Sequence, residues 1–255
     1  MKGILIYNKE DYELNVTFGK WLIDEFGALG VELKVVFTEN IYNMDFDFAI
    51  NRSRNIDISL LCQLNNIPVF NNSQITLLGN NKLMAYNYAK ILGLNILPVL
   101  LKDEEQMIAK PNHGHGGEGI RLVNKINHGL IYQQYKKIIG DVRFYIINNE
   151  LIASVIRTNS NSIVSNFSKG GNVEVYKPTG DELAILNTFK SQLDIDYCGI
   201  DFLKTEDDFY FNEIEDVVGS RMLSHLKMNN TGTLFAKHIY NKLNTRLNIY
   251  NETKK

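Results

Sequence analysis

The sequence predicts a chain of mixed architecture, an α/β unit at the front followed by a larger α+β body. Over residues 1–70, short apolar strands alternate with helical patterns, and strand–helix–strand alternation implies a parallel sheet. Further on, strand patterns follow one another directly, and Asn148-Asn149-Glu150 between two of them reads as a β-hairpin turn. With 255 residues, 44% of them hydrophobic, the chain can bury a sizeable core and hold more than one unit.

Residues 4–7 are a short apolar strand. Leu14, Phe18, Trp21, Leu22, Phe26 and Leu29 then recur at helical spacing, and Gly30 is placed to end that helix. Val31, Leu33, Val35 and Phe37 alternate as a strand, and residues 46–50 read as another. A helix through Leu60, Leu61 and Leu64 stops before Pro68, with a strand over 67–70. The polar stretch 71–81 predicts a boundary between units. A helix over 82–92 follows, closed by Gly93, then short strands at 96–100 and 107–110. Beyond a glycine-rich loop at 111–119, strands are expected at 120–123, 130–134, 142–147 and 151–157. Leu183, Leu186, Phe189 and Leu193 mark a helix, 197–203 and 209–214 two strands around an acidic turn, and Leu234, Phe235, His238, Ile239 and Leu243 a last helix.

A net charge of -2 offers no basic excess for a polyanion, so nucleic acid is not an expected partner. The first strand lacks a following Gly-x-Gly-x-x-Gly, which argues against a dinucleotide site. Cys62 and Cys198 have no paired spacing; with no signal peptide or membrane-length apolar run, a reduced, cytoplasmic protein without membrane contact is expected.

Three groups of residues carry chemistry. Gly114, Gly116, Gly117 and Gly119 make a loop whose backbone N–H groups can close on an anion, with Lys110 at the end of the strand before it. The lysine precedes the glycines, so this is no P-loop but a hairpin lid over phosphate; a plain glycine-rich turn is the alternative. Second, Asp201, Glu213 and Glu215 sit in otherwise apolar strands. A turn centred on Asp207 would set Asp201 opposite Glu213, about 5 Å apart at Cα. Such carboxylates repel unless a cation is present, and oxygen ligands completed by phosphates suit Mg²⁺. A solvent-facing acidic rim is the alternative. Third, Arg143 and Arg157 lie on the two strands of the hairpin, each able to grip a carboxylate or phosphate bidentately. His113 and His115 lie in the glycine loop, able to touch phosphate or substrate or to stay solvated, and Arg52 and Arg54 read as a solvated charged loop, with binding of an anionic acceptor as the alternative.

In this order, the motifs resemble the ATP-grasp superfamily, most closely its RimK-like carboxylate–amine ligases, over roughly residues 71–239. The resemblance implies an N-terminal Rossmann-like pre-ATP-grasp unit at 1–75 and a two-lobed ATP-grasp fold at 76–255. Its lid subdomain would span about 94–135 and its C-terminal lobe about 136–250. It implies ATP and Mg²⁺, with Mn²⁺ as a substitute, and an ADP-forming carbon–nitrogen ligase joining a small-molecule or peptide carboxylate to an amine through an acyl phosphate. It also favours a homo-oligomer. Residue by residue, Lys82 and Lys110 match phosphate-contacting lysines, with Gly116 and Gly117 in the lid. Gln133, Gln134 and Tyr135 match the adenine hinge. Asp141 matches an aspartate near ATP, Asn166 a turn residue near the nucleotide, and Arg143 and Arg157 the arginines at the reacting phosphoryl group. Asp201, Glu213 and Glu215 match the metal ligands, although Glu215 stands where the family usually has asparagine. The added charge implies an apo site strained by like-charge repulsion. A kinase of the same superfamily and a non-catalytic ATP-binding protein are the rival readings.

Overall fold

The computed structural model of the protein describes residues 1–42, 44–158 and 172–253. Strands β1 (Lys2–Tyr7), β2 (Glu32–Phe37), β3 (Phe48–Asn51) and β4 (Val69–Phe70) form the front unit with helices α1 (Lys9–Ala28) and α2 (Ile56–Leu64). The sheet is parallel throughout, in the order β2-β1-β3-β4. Past α1, Gly30 turns the chain at φ +71°, a conformation that costs glycine little. The helix buries Phe18, Gly19, Leu22 and Phe26. Leu14, expected on that face, is 75% exposed because its side of α1 borders a cleft, described below. Helix α2 likewise docks through Ile58, Ser59 and Cys62, leaving Leu61 and Leu64 exposed. Ser59 lies on the docked side because its hydroxyl joins Asn51 and the Asn71 carbonyl.

The polar stretch expected as a boundary between units carries helix α3 (Ser73–Asn80), which was not expected, followed at once by α4 (Lys82–Ile91). Its asparagines are caps: Asn72 accepts from the Ile75 N–H at 3.0 Å and Asn81 from the Met84 N–H at 3.0 Å. Buried Asn71 fastens the front unit to the body, donating to the Tyr197 carbonyl at 2.7 Å and accepting from the Tyr197 N–H at 2.9 Å.

In the body, β5 (Met107–Lys110), β6 (Arg121–Val123) and β7 (Ile131–Gln134) form a small antiparallel sheet ordered β6-β5-β7. A five-stranded antiparallel sheet runs β10-β9-β8-β11-β12. Its strands are β8 (Gly140–Ile147), β9 (Glu150–Thr158), β10 (Asn172–Val175), β11 (Tyr197–Lys204) and β12 (Phe209–Glu215). Helices α5 (Gly180–Lys190), α6 (Arg221–His225) and α7 (Thr231–Thr253) complete the body. The predicted hairpin is the β8–β9 pair, with Asn148 and Asn149 at φ +53° and +56° as a tight primed turn demands. Strand β10 was not expected. The strand expected at 96–100 is reduced to two isolated bridges, Ile96 to Phe211 and Val99 to Gln133. Pro98 has no N–H to continue a ladder. Those bridges tie the small sheet to the large one.

Two apolar clusters fix the large sheet from both faces. One joins Leu5, Phe26 and Phe48 of the front unit to Tyr145, Tyr197 and Phe235 of the body. The other packs Phe144, Phe189, Phe202 and Phe211 within the body. Each such aromatic side chain stabilises by roughly 2–3 kcal/mol when removed from water. Both cysteines are free and buried, and burial pushes the thiols of Cys62 and Cys198 up, away from the reactive thiolate. Among the described residues, no helix is long and apolar enough to cross a membrane.

Candidate active site

Alternation along the central strands carries one sheet face from apolar to charged. Tyr145 and Tyr197 lie in the cluster beneath the front unit, and two residues on at each step the same face presents Arg143 and Asp141 on β8, Gly199 and Asp201 on β11. Arg157 stands two residues beyond core residue Val155 on β9. The register sets Asp201 opposite both Arg143 and Glu213, and Asp141 opposite Arg157. The predicted Asp201–Glu213 pairing therefore occurs, with Arg143 on the other flank of Asp201.

A cleft of about 220 Å³ opens over this face. Lys82, Lys110, Gly116 and Gly117 line it on one side, and Asp141, Arg143, Arg157, Glu213 and Glu215 also border it. Asp201 lies behind the wall, with no exposure at all. Arg143 grips it with two bonds of 2.7 Å, from Nε to Oδ1 and from Nη2 to Oδ2. Arg157 Nη2 reaches the same Oδ2 at 2.6 Å and Asp141 Oδ2 at 2.7 Å. Arg143 also pairs with Glu215. Burial pushes the Asp201 carboxyl up, but the two guanidiniums outweigh it and hold it below the usual carboxylate range. For Asp141 burial wins over Arg157, and its carboxyl rises to about 6. Among the described residues, Arg157 Nε and Asp141 Oδ1 are buried without a hydrogen-bond partner.

The lysines stand at the mouth of the lid. Lys82 Nζ pairs with Glu213 at 3.1 Å and donates to the Gly114 carbonyl of the loop. Lys110 is buried, donates to Asn212 at 3.2 Å and lies 5.0 Å above the Tyr86 ring. Burial lowers its ammonium to about 8, against the pull of Glu213. In the loop, Gly116, Gly117 and Gly119 have φ of +65°, +69° and +72°, which side chains rarely adopt. His113 is tied to the Asn80 carbonyl at 2.8 Å, whereas His115 borders the cleft.

Each of these carboxylates thus contacts a cation, with Arg143 and Arg157 shared among Asp141, Asp201 and Glu215, which offsets the like-charge repulsion expected of the apo site. Among the described residues, no three His, Cys, Asp or Glu side chains stand together as one metal site. Glu213 and Glu215 still fit Mg²⁺: both border the cleft, about a quarter exposed, and offer hard oxygens to an ion that keeps much of its water and phosphate shell. Asp201 is occupied by arginines because strands 58 and 44 residues distant bring two guanidiniums onto it. At the hinge, Gln133 is buried and donates to the Leu97 carbonyl at 2.9 Å; Gln133, Gln134 and Tyr135 do not border the cleft. Asn166 lies outside the described residues.

Some cleft residues escaped sequence reasoning. Asn212 is the extra residue of a bulge opposite the Asp201–Phe202 step, which no sequence signal marks. Arg54, whose alternative reading was contact with an anionic acceptor, does border the cleft, paired with Asp11 at 2.6 Å. Arg52, expected in solvent, is buried: it donates to Tyr7 Oη and to the Val218 carbonyl and stacks 4.6 Å from the Phe18 ring centroid. The flanking aromatic residues explain that burial.

Residues 74–239 match the family model of the RimK-like ATP-grasp domain. A Mycoplasma genitalium protein of uncharacterised function is 29% identical over 251 residues, covering 88% of this chain and 87% of that protein. The tetrahydromethanopterin:alpha-L-glutamate ligase of Methanocaldococcus jannaschii is 26% identical over 231 residues, covering 69% and 78%. The Bacillus anthracis D-alanine–D-alanine ligase, solved with ATP, shares the fold at a TM-score of 0.73 and 12% identity, over 99% of each chain. With its family model spanning most of the chain and its motifs in that order around one cleft, this protein belongs to the RimK-like ATP-grasp family.

Proposed function

We propose that the protein is an ATP-dependent carboxylate–amine ligase that forms an amide through an acyl phosphate. One observation carries the reading: two buried arginines converge on one wall of a cleft whose mouth holds two lysines and a glycine loop. Lys82, Lys110 and the N–H groups around Gly116 and Gly117 hold the ATP phosphates. Glu213 and Glu215 hold Mg²⁺, which Mn²⁺ can replace; when bound it neutralises phosphate charge. A substrate carboxylate oxygen attacks the γ-phosphorus, and ADP leaves. Arg143 and Arg157 offset the charge on the transferring group, and the buried Nε of Arg157 is a donor with no protein partner among the described residues. The amine then attacks the acyl carbon, phosphate departs with the bonding electrons, and the amine loses a proton. Catalysis on this account is positioning and electrostatics. ADP release screened against paired acids and amines tests it. A new amide with ADP and phosphate is the expected product set; a stable phosphorylated substrate would make the protein a kinase.

Nucleotide should order the loop at residues 111–119, since its glycines leave it entropy that phosphate contacts must overcome. Hydrogen exchange in that loop is expected to slow with ATP·Mg²⁺. Equal exchange with and without nucleotide would remove the lid from the mechanism.

Lys110 gives a pH signature. Its ammonium, at about 8, is charged at pH 6.5 and largely neutral at pH 8.5. A bound phosphate favours the charged form and raises that value. ATP binding at pH 8.5 should therefore take up a proton, and affinity should fall as pH rises through 8. Calorimetry in buffers of different ionisation enthalpy reads the uptake, which Lys110→Met should abolish while weakening ATP binding. Identical proton uptake in wild type and variant would leave Lys110 a strand-end residue only.

A further inference from the structure

The glycine loop is not free along its whole length. Its first residues are fastened to the first turn of α4, where a helix has N–H groups without an intrahelical partner. In α4 those of residues 82–84 are all taken. The Lys82 N–H donates to the Asn112 carbonyl at 3.2 Å, the Leu83 N–H to Asn112 Oδ1 at 2.9 Å, and the Met84 N–H to the Asn81 cap at 3.0 Å. The direction of the neighbouring bonds follows. Because Asn112 Oδ1 accepts, its amide nitrogen, 3.2 Å from His113 Nε2, donates to the ring. His113 then carries its proton on Nδ1 and donates it to the Asn80 carbonyl at 2.8 Å. One chain of bonds thus runs from Leu83 through Asn112 and His113 back to the residue before the α4 cap.

Lys82 belongs to the same unit. Besides its backbone bond to Asn112, its ammonium donates to the Gly114 carbonyl and pairs with Glu213 at 3.1 Å. Gly114 is where the loop folds over Pro111, since a Cβ there would come 2.9 Å from Pro111 Cγ. Beyond it, Gly116, Gly117 and Gly119 take the positive φ already described. We propose that Asn112 and His113 are positioning residues for nucleotide binding, anchoring the root of the lid to α4 so that Lys82 and the glycines beyond Gly114 meet the phosphates as one unit. This deepens the ligase reading and rests on its ATP site. Neither side chain touches phosphate; both act through Lys82 and the loop. Phosphate draws the Lys82 ammonium away from the Gly114 carbonyl, and the lid closes by turning at Gly114 while residues 111–113 stay in place. The ordering expected of the loop is then confined to residues 114–119.

The test follows amide exchange residue by residue, Tm and the calorimetric Kd for ATP·Mg²⁺ in wild type, Asn112→Ala, His113→Ala and Asn112→Asp. Without nucleotide, the wild-type Lys82 and Leu83 amides should exchange slowly, unlike unpaired first-turn amides, and ATP·Mg²⁺ should further slow residues 114–119 alone. Asn112→Ala should speed Leu83 exchange and raise Kd by about five- to tenfold each, the scale of one lost cap. The weaker binding arises because ATP must then order the root as well. Tm should hardly move, since the tie lies at the surface. His113→Ala should act in the same direction and add little to Asn112→Ala in the double variant, because the two side chains serve one tie. Asn112→Asp keeps an oxygen for the Leu83 N–H and should restore its slow exchange. Fast Leu83 exchange in the wild type, or an Asn112→Ala Kd equal to the wild-type value, would overturn the anchor. A wild type that does not bind ATP·Mg²⁺ would instead overturn the ligase reading, and apo exchange at Leu83 would still decide the anchor.

Discussion

Asp201→Ala is expected to destabilise the protein by about 3–5 kcal/mol, the range for removing one partner from a buried ion pair. Asp201 has no exposure and accepts three bonds from Arg143 and Arg157, which are themselves 6% and 5% exposed. Without it, two guanidiniums remain in the interior with Glu215 and Asp141 as their remaining anions. The loss should appear as a fall in Tm on the order of 10 °C for a chain of this size. Asp201→Asn keeps the shape but turns N–H donors toward guanidinium donors, so it should be nearly as costly. The pH dependence follows from the lowered carboxyl. A carboxylate held below its unfolded value stabilises fully above that value, and the stabilisation is lost as pH falls through the folded one. The gap between wild type and Asp201→Asn should hold from neutral pH down to about pH 4 and narrow below it. An unchanged melting temperature at pH 7 would mean that Glu215 and Asp141 suffice to hold the arginines.

Glu213→Ala should cut turnover by about 10²–10³-fold, the scale of losing one preorganised charged group at the site. It removes both a carboxylate proposed for Mg²⁺ and the anion that positions Lys82 at 3.1 Å. Glu215→Asn should keep activity and need more Mg²⁺, since an amide oxygen remains a hard donor but loses its charge. The ion pairs reverse the stability expectation that like-charge repulsion suggested. Removing Glu213 strands Lys82, and removing the charge of Glu215 strips Arg143 of one anion, so the apo Tm should fall in both variants. Activity measured against Mg²⁺ concentration, beside melting curves, checks both halves. Near wild-type turnover of Glu213→Ala at saturating Mg²⁺ would remove these two strands from the metal reading.

Local chemistry made much of this legible. Helix periods, the Asn148-Asn149 turn and the glycine loop each follow from backbone preferences of neighbouring residues, and the β11–β12 turn placed Asp201 opposite Glu213. The same locality hid the helix at 73–80, whose asparagine caps make the stretch read as polar, and misled at 96–100, where apolar side chains mask a proline that cannot donate. Leu14 and Arg52 exchanged their expected places for a different reason. A helical stripe is buried only where something packs on it, and an arginine is exposed only where no ring or carbonyl meets it.

By itself the sequence determined the order of most elements, the fold class and the family, because these rest on patterns within a few turns or one hairpin. The tertiary structure alone decided what the charges do. Arg143 and Arg157 reach Asp201 only because β8 pairs with β11 and with β9, contacts that span 58 and 44 residues of chain. Coulombic attraction and desolvation act through space, so whether a carboxylate awaits a metal or anchors two guanidiniums depends on which strands become neighbours.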